Sequence, residues 1–409
     1  MNTPEAQSAA LPPPGRLMSV DALRGFDMFW ILGAGSLAKT LQAISDNDWT
    51  SFLATQLTHV RWEGFRFYDL IFPLFLFLVG ISIVFSLDKV RDEADRSKVF
   101  ARIFQRTLAL FLIGIFYYGG LSKPWPAIAL GGVLHRIAAC YLIASLLYLA
   151  FPQMHRLVML SIVILVGYWA MLLWVPIPDI KLEPQEIQAI ARSIQSDSPW
   201  AIARSVEQTT RGSFEEGRNL VNFVDFLFLP GRKAQTYYIN EGLLSTLPAV
   251  VLTLIGIMTG CWLKQTSVAA ATKAWRMGGV GLLLVVVGYL WSYEFPLIKR
   301  IWTSSFILVA GGYSLMLMAF FYWLVDVREW RRWCQPFVWM GANALTLYVL
   351  AEIVNFPQLA LRFVGGDVRN FLDRQVVQGC GDLVAALVGL LLVVLLARFL
   401  YRRKIFLRV

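Results

Sequence analysis

Asp69-Leu70-Ile71-Phe72-Pro73-Leu74-Phe75-Leu76-Phe77-Leu78-Val79-Gly80-Ile81-Ser82-Ile83-Val84-Phe85-Ser86-Leu87 decides the fold class. After its opening aspartate the run holds no charge, and it shows no alternation of apolar and polar positions. At 1.5 Å per residue it is about 28 Å long, the thickness of a bilayer's hydrocarbon core. A lipid-embedded backbone must satisfy its own hydrogen bonds, so a run of this kind is a helix. Nine further apolar blocks repeat the pattern: 20–40, 103–118, 128–151, 157–174, 243–263, 275–293, 301–324, 337–356 and 383–400. The reading is therefore an all-α, polytopic membrane bundle of about ten spans.

Bulk composition agrees. Of 409 residues, 57% are hydrophobic and 16% charged, against roughly 25% charged in soluble domains. Mean hydropathy is +0.59. The net charge of +10 does not point to nucleic acid, because the basic residues sit at block ends and form no single patch with interleaved aromatics. Cys140, Cys261, Cys334 and Cys380 lack metal-type spacing. No metal site is expected. Residues 1–15 are polar and Pro-rich, read as a disordered cytoplasmic tail without signal-peptide features.

Basic residues alternate between loops. Lys89, Arg91, Arg96, Lys98 and Arg102 form one group. Arg156 follows, then Lys264, Lys273 and Arg276, then Arg328, Arg331 and Arg332, then Arg402, Arg403, Lys404 and Arg408. The positive-inside rule puts these loops and both termini in the cytoplasm. Loops 41–68 and 175–242 then lie outside, the longer one carrying short helices but no core of its own. Residues 16–409 form one transmembrane domain.

Charges inside spans are costly and mark function by default. Asp21 and Arg24 can pair as i, i+3 neighbours that brace the first span. The other polar residues gather on the outer side: His59, Glu63 and Asp69; His135 and Arg136; Glu241, Ser245 and Thr246; Lys299, Trp302 and Thr303; Asn343 and Glu352. Taken singly, Asp69, Ser245 and Thr303 could be helix caps. Five helices contributing such groups suggest a shared polar chamber. His59 has two carboxylates nearby in sequence, Glu63 and Asp69, able to orient its ring.

Six elements carry a resemblance. They are Arg16-Leu17-Met18-Ser19-Val20-Asp21-Ala22-Leu23-Arg24-Gly25; His59-x-x-Trp62-x-Gly64 followed by Asp69-Leu70-Ile71-Phe72-Pro73; Gly132-Val133-Leu134-His135-Arg136-Ile137; Glu241-Gly242-Leu243-Leu244-Ser245-Thr246; Lys299-x-x-Trp302-Thr303; and Gly341-Ala342-Asn343-Ala344-Leu345. In this order the chain resembles the heparan-α-glucosaminide N-acetyltransferase family from Arg16 onward. His135 stands where that family's pattern has Gln.

The resemblance implies a transmembrane acetyltransferase that moves acetyl from cytosolic acetyl-CoA to an amino sugar outside. It places the active histidine on His59. It points to the branch in the bacterial inner membrane associated with N-acetylglucosamine use. On this reading Asp69 or Glu63 fixes the His59 tautomer, and Ser245, Asn343 or Trp302 stabilises the thioester oxyanion. Arg136 and Lys299 hold CoA phosphates or the acceptor, with His135 and Glu241 in the same binding set. Direct transfer and an acetyl-histidine route both remain open. Acetyl-CoA, the amino sugar and the lipid bilayer are the expected partners, with homodimerisation allowed. The rival readings are a membrane O-acyltransferase acting on a glycan hydroxyl and a sugar transporter.

Overall fold

The computed structural model describes residues 17–44, 47–88 and 96–406. The N-terminal tail, Lys89, Arg91 and Arg408 lie outside them. In chain order the helices are α1 Met18–Ile44, α2 Asp48–Gln56, α3 Phe67–Leu87, α4 Arg96–Tyr117, α5 Val133–Ala150 and α6 Met154–Trp174. Next come α7 Pro184–Ile194, α8 Pro199–Ser205, α9 Leu220–Phe228, α10 Thr246–Lys264, α11 Ala270–Trp291 and α12 Ser304–Tyr322. The last are α13 Gln335–Ala342, α14 Ala344–Val354, α15 Phe356–Val364, α16 Asp367–Gln375 and α17 Cys380–Arg402. One small antiparallel ladder pairs β1 (Ile177–Pro178) with β2 (Thr209–Thr210).

Among the described residues eight helices are long and apolar enough to cross a membrane: α3, α4, α5, α6, α10, α11, α12 and α17. The pair α13–α14 passes the same test only as a unit and is bent by 80° at Asn343. The apolar run 337–356, expected as one straight span, is divided by this break. With α1, 27 residues long but carrying Asp21, Arg24, Asp27 and Lys39, these account for the ten apolar blocks. The block expected from Ile128 becomes helical only at Val133, after a 3-10 turn at Trp125–Ala127.

Helices α3, α5, α10 and α12 form the interior, with more than half of each span buried, whereas α4, α6, α11 and α17 turn most of theirs outward. That outward surface carries Phe104, Leu112, Met159, Ile162, Val163 and Leu391, a solvent-incompatible face that lipid would cover. The α3–α10 contact is close because it is made of glycine. A Cβ on Gly80 would lie 2.0 Å from the Thr253 carbonyl oxygen, and one on Gly256 1.9 Å from that of Phe77. Small residues of this kind let membrane helices pack backbone to backbone. As expected, Arg24 pairs with Asp21 at 3.1 Å. Its other nitrogen donates to Ser82 Oγ at 2.8 Å, tying α1 to α3.

The 175–242 insert has more substance than its sequence suggested. Ile177, Ile180, Leu182, Ile187, Ile202, Val221 and Phe226 bury together against Tyr168 and Leu172 of α6 and against Phe295, Ile298 and Ile301. This apolar cluster sits over one end of the bundle, hereafter the insert end. It is bolted down by Trp62, whose indole N–H donates to the Phe214 carbonyl at 2.8 Å, and by the Arg300–Glu216 ion pair at 2.5 Å.

Candidate active site

At the insert end, the loop before α3 and the loop before α12 run side by side. Glu63 bridges antiparallel to Ile298, and the Gly64 N–H donates to the Leu297 carbonyl at 2.8 Å. This pairing brings His59 beside Lys299 although 240 positions separate them. Asp69 lies in the first turn of α3, where its Oδ2 accepts the Arg66 N–H at 3.2 Å and the Val60 N–H at 3.3 Å. Pro73 cannot donate to the Asp69 carbonyl, while the Asp69 side chain separately ties the Val60 and Arg66 N–H groups to the start of α3.

The free oxygen of that carboxylate, Oδ1, stands 2.8 Å from His59 Nδ1 and 3.3 Å from Lys299 Nζ. Lys299 Nζ is also 3.1 Å from His59 Nδ1. One nitrogen cannot donate to Asp69 and accept from Lys299 at once. The shorter contact, made to a carboxylate, assigns the proton to Nδ1. Lys299 then binds Asp69, and its contact with the ring is proximity alone. Nε2 is left as an acceptor, without a partner among the described residues. The ring stacks on Tyr68, centroids 4.5 Å apart and planes 24° apart. Asp69 is 1% exposed at its side chain and His59 53%, so a buried anion orients an accessible base. Burial holds the Lys299 ammonium below the usual lysine range, against the opposing pull of the Asp69 and Glu241 carboxylates.

These groups open on a chamber of about 230 Å³, whose polar lining includes His59, Asp69, Asn240, Glu241 and Lys299 and whose apolar walls come from α3, α5 and α14. Trp302 closes one side, 1% exposed, with its backbone in the left-handed region at φ 54°. A non-glycine residue there costs about 1–3 kcal/mol. Ile298 and Thr303 hold the turn, exchanging backbone and hydroxyl hydrogen bonds at 3.1–3.2 Å. Behind the indole, Arg136 stacks at 4.8 Å and donates to Ser245 Oγ at 2.5 Å and the Gly242 carbonyl at 3.0 Å.

The structure brings together His59, Asp69, Glu241, Lys299 and Trp302 at the chamber, with Arg136 and Ser245 immediately behind. It sets three expected residues apart. Glu63 is exposed and joins the site through its backbone, so orientation of His59 falls to Asp69. His135 points away from the chamber, packing edge-on against Phe111 at 4.7 Å, with neither ring nitrogen partnered among the described residues. On α5 the chamber face holds Val133, Leu134 and Ile137, and two residues of helix turn His135 about 200° from Val133. Asn343 is buried at the α13–α14 break, its amide without a partner among the described residues and outside the chamber lining. Nor do Ser245 and Thr303 cap their helices: neither makes a side-chain cap bond.

Two residues carry no mark in the motifs. Tyr348 of α14 lines the chamber. Asp225, buried on α9, accepts the Leu243 N–H at 2.8 Å and lies so near Gly242 that a Cβ there would fall 1.9 Å from its oxygen. It thereby positions the strand of chain bearing Asn240 and Glu241. Burial raises the Asp225 carboxyl to about 6, against the stabilising N–H bonds. A lone charge inside the apolar run Leu220–Phe228 was the available signal.

Residues 16–182 match the family model described as "Heparan-alpha-glucosaminide N-acetyltransferase, catalytic". That stretch contains His59, Asp69 and Arg136; Glu241, Lys299, Trp302 and Asn343 lie beyond it. The chain is similar to heparan-alpha-glucosaminide N-acetyltransferase of Homo sapiens, 25% identical over 453 aligned residues that cover 97% of this chain and 60% of the relative. It is 23% identical to the Mus musculus protein of the same name over 403 residues, covering 85% of this chain and 56% of that one. The chain thus spans under two thirds of the length of these curated relatives.

Proposed function

We propose that this chain is a transmembrane acetyltransferase that moves acetyl from acetyl-CoA to the amine of an amino sugar, with the insert end on the extracytoplasmic side and both termini in the cytoplasm. The similarity to glucosaminide N-acetyltransferases supports the reaction class. The observation that carries the reading is His59, a residue lining the chamber whose Nδ1 lies 2.8 Å from the buried Asp69 carboxylate, an arrangement that leaves Nε2 as the acceptor.

The amine must be neutral to attack a thioester. Nε2 takes an amine proton as the new N–C bond forms at the acetyl carbon. The C–S bond breaks, and the CoA thiolate leaves with a proton returned from the imidazolium. Asp69 stabilises that imidazolium without taking its proton. Charge building on the carbonyl oxygen is met by the Lys299 ammonium and the Trp302 indole N–H, which has no protein partner among the described residues. Glu241, without an ion pair among the described residues, is suited to a sugar hydroxyl or ammonium. Arg136 positions Trp302 and the 242–245 turn. The bacterial inner membrane is the proposed location, where cytosolic acetyl-CoA must reach the chamber through the bundle.

The test is product chemistry. Purified protein given labelled acetyl-CoA and glucosamine should yield an alkali-stable N-acetyl product. An alkali-labile ester would move the assignment to O-acylation. Glucosamine uptake into proteoliposomes lacking acetyl-CoA would move it to transport. Label retained on His59 when sugar is omitted would replace direct transfer by an acetyl-histidine route. A transporter should carry interrupted helices at corresponding places in both halves; among the described residues the only bent pair is α13–α14.

A further inference from the structure

A second cavity shares a wall with the chamber, since Ile31 of α1 lines both. It is a cleft of about 630 Å³ framed by the second half of α1, the end of α14, α15 and the first half of α17. Its lining changes character with depth. On α1, Lys39 and Thr40 stand nearer the insert end and Ile31 and Leu32 about 12 Å deeper; on α17, Asp382 stands at the insert end and Val393 about 16 Å deeper. Two walls thus grade from polar to apolar in the same sense. A phospholipid has that profile, with its headgroup at the interface and its chains below. The α14–α15 side of the mouth exposes Ile353, Leu361 and Phe363, a surface that suits the bilayer interface and not water.

The charges at the mouth select the headgroup. The Ser36 and Thr40 hydroxyls donate to carbonyls of their own helix, those of Gly33 and Leu37, each at 3.0 Å. Asn355 Oδ1 accepts the Gln358 N–H at 3.3 Å. Asp382 is neutralised by Arg369 of α16, with Nε 2.8 Å from Oδ1 and Nη2 2.9 Å from Oδ2. There remain one exposed ammonium, Lys39, and one exposed carboxylate, Glu352, neither in an ion pair among the described residues. One cation and one anion at the rim of an apolar slot complement the phosphate and the ammonium of a zwitterionic headgroup. A headgroup with a phosphate and no ammonium would leave Glu352 uncompensated beside it.

We propose that this cleft is a binding site for a phospholipid of the phosphatidylethanolamine class, with its phosphate on Lys39, its ammonium on Glu352 and an acyl chain laid between α1 and α17 toward Val393. The inference does not depend on acetyl transfer. The bound lipid braces the wall that cleft and chamber share, because Ile31 belongs to both and Glu352 stands one helical turn beyond Tyr348, a chamber residue.

The experiment uses the whole protein, stripped of lipid in dodecyl maltoside and titrated with phosphatidylethanolamine or phosphatidylglycerol of identical acyl chains. Native mass spectrometry reads occupancy, and a thermal shift reads stabilisation. Wild-type protein should bind one phosphatidylethanolamine about tenfold more tightly than phosphatidylglycerol, the scale of one hydrogen bond to a charged group, and its melting temperature should rise. Glu352→Gln should bring the two affinities within about twofold of each other, and Lys39→Gln should weaken both lipids by about tenfold. Both side chains are exposed, so an unchanged melting temperature of the lipid-free variants serves as the folding control. Equal affinities in wild type, a preference that survives in Glu352→Gln, or phosphatidylethanolamine binding that Lys39→Gln leaves unchanged would each overturn the site.

Discussion

Asp69→Asn removes a charge while preserving shape, and its consequence follows from which atoms face which. In the native carboxylate, Oδ2 accepts two backbone N–H groups, from Val60 and Arg66, while Oδ1 faces His59 Nδ1 and Lys299 Nζ. An amide has one acceptor end. If its oxygen keeps the two backbone donors, its NH₂ meets His59, forces Nδ1 to accept, and moves the ring proton to Nε2. If the oxygen faces His59 instead, NH₂ is driven against two backbone donors at the start of α3. The first arrangement is the cheaper one, since each buried donor left unsatisfied costs about 1–3 kcal/mol. The base is then in the wrong tautomer, and Lys299 has lost its near counter-ion. General-base catalysis contributes about 10²–10⁴ in rate, so kcat for acetyl transfer to glucosamine should fall by that factor. Acetyl-CoA affinity should change little. Steady-state transfer in detergent micelles, beside acetyl-CoA titration by intrinsic fluorescence, reads both quantities. Combining the change with His59→Ala should cost little beyond the worse single variant, because the pair acts as a unit. A kcat within fivefold of wild type for Asp69→Asn would refute the dyad.

Other outcomes follow from the packing and the buried acid. Gly256→Ala places a methyl 1.9 Å from the Phe77 carbonyl oxygen, so α3 and α10 must separate. Overpacking of this kind costs about 1–3 kcal/mol and should lower the melting temperature in a thermal-shift assay, whereas Gly279→Ala, whose methyl meets nothing within 4 Å, should not. Asp225 has its folded carboxyl raised to about 6 by burial. Its stabilising contribution is therefore complete below the ordinary aspartate range and is lost as pH rises through about 6. Each tenfold change in proton affinity corresponds to about 1.4 kcal/mol. Wild-type melting temperature should fall between pH 4 and pH 7 by more than that of Asp225→Asn; parallel profiles would show that Asp225 is not the group responsible.

Much of this architecture is legible in the chain because lipid imposes a coarse rule. An uninterrupted apolar run of bilayer length has one structural solution, so nine of the ten blocks each fall on a single helix. The break at Asn343 was hidden because one amide inside 337–356 barely alters hydropathy; beside it α13 packs backbone to backbone on α1, where a Cβ on Gly341 would strike the Asp21 carbonyl at 1.9 Å. At the site, Asp69 was readable as the partner of His59 because both lie on one short segment. Lys299 was readable as a polar outlier but not as a neighbour, since its placement depends on the Glu63–Ile298 bridge. His135 misled because a charge-capable residue beside Arg136 looks like part of one constellation, although helix pitch sends adjacent residues to different faces. Tyr348 left no signal at all: a tyrosine in an apolar run looks the same whether it faces lipid or a cavity.

The proposed acetyl transfer turns on Nε2 of His59 accepting the amine proton. His59→Ala, with acetyl-CoA binding and acetyl transfer followed on the same preparation, isolates that step. Acetyl-CoA affinity should stay within about twofold of wild type while turnover drops by about 10²–10⁴, partly restored by added imidazole. Turnover close to wild type in that variant, with the cofactor still bound, would remove His59 from the chemistry.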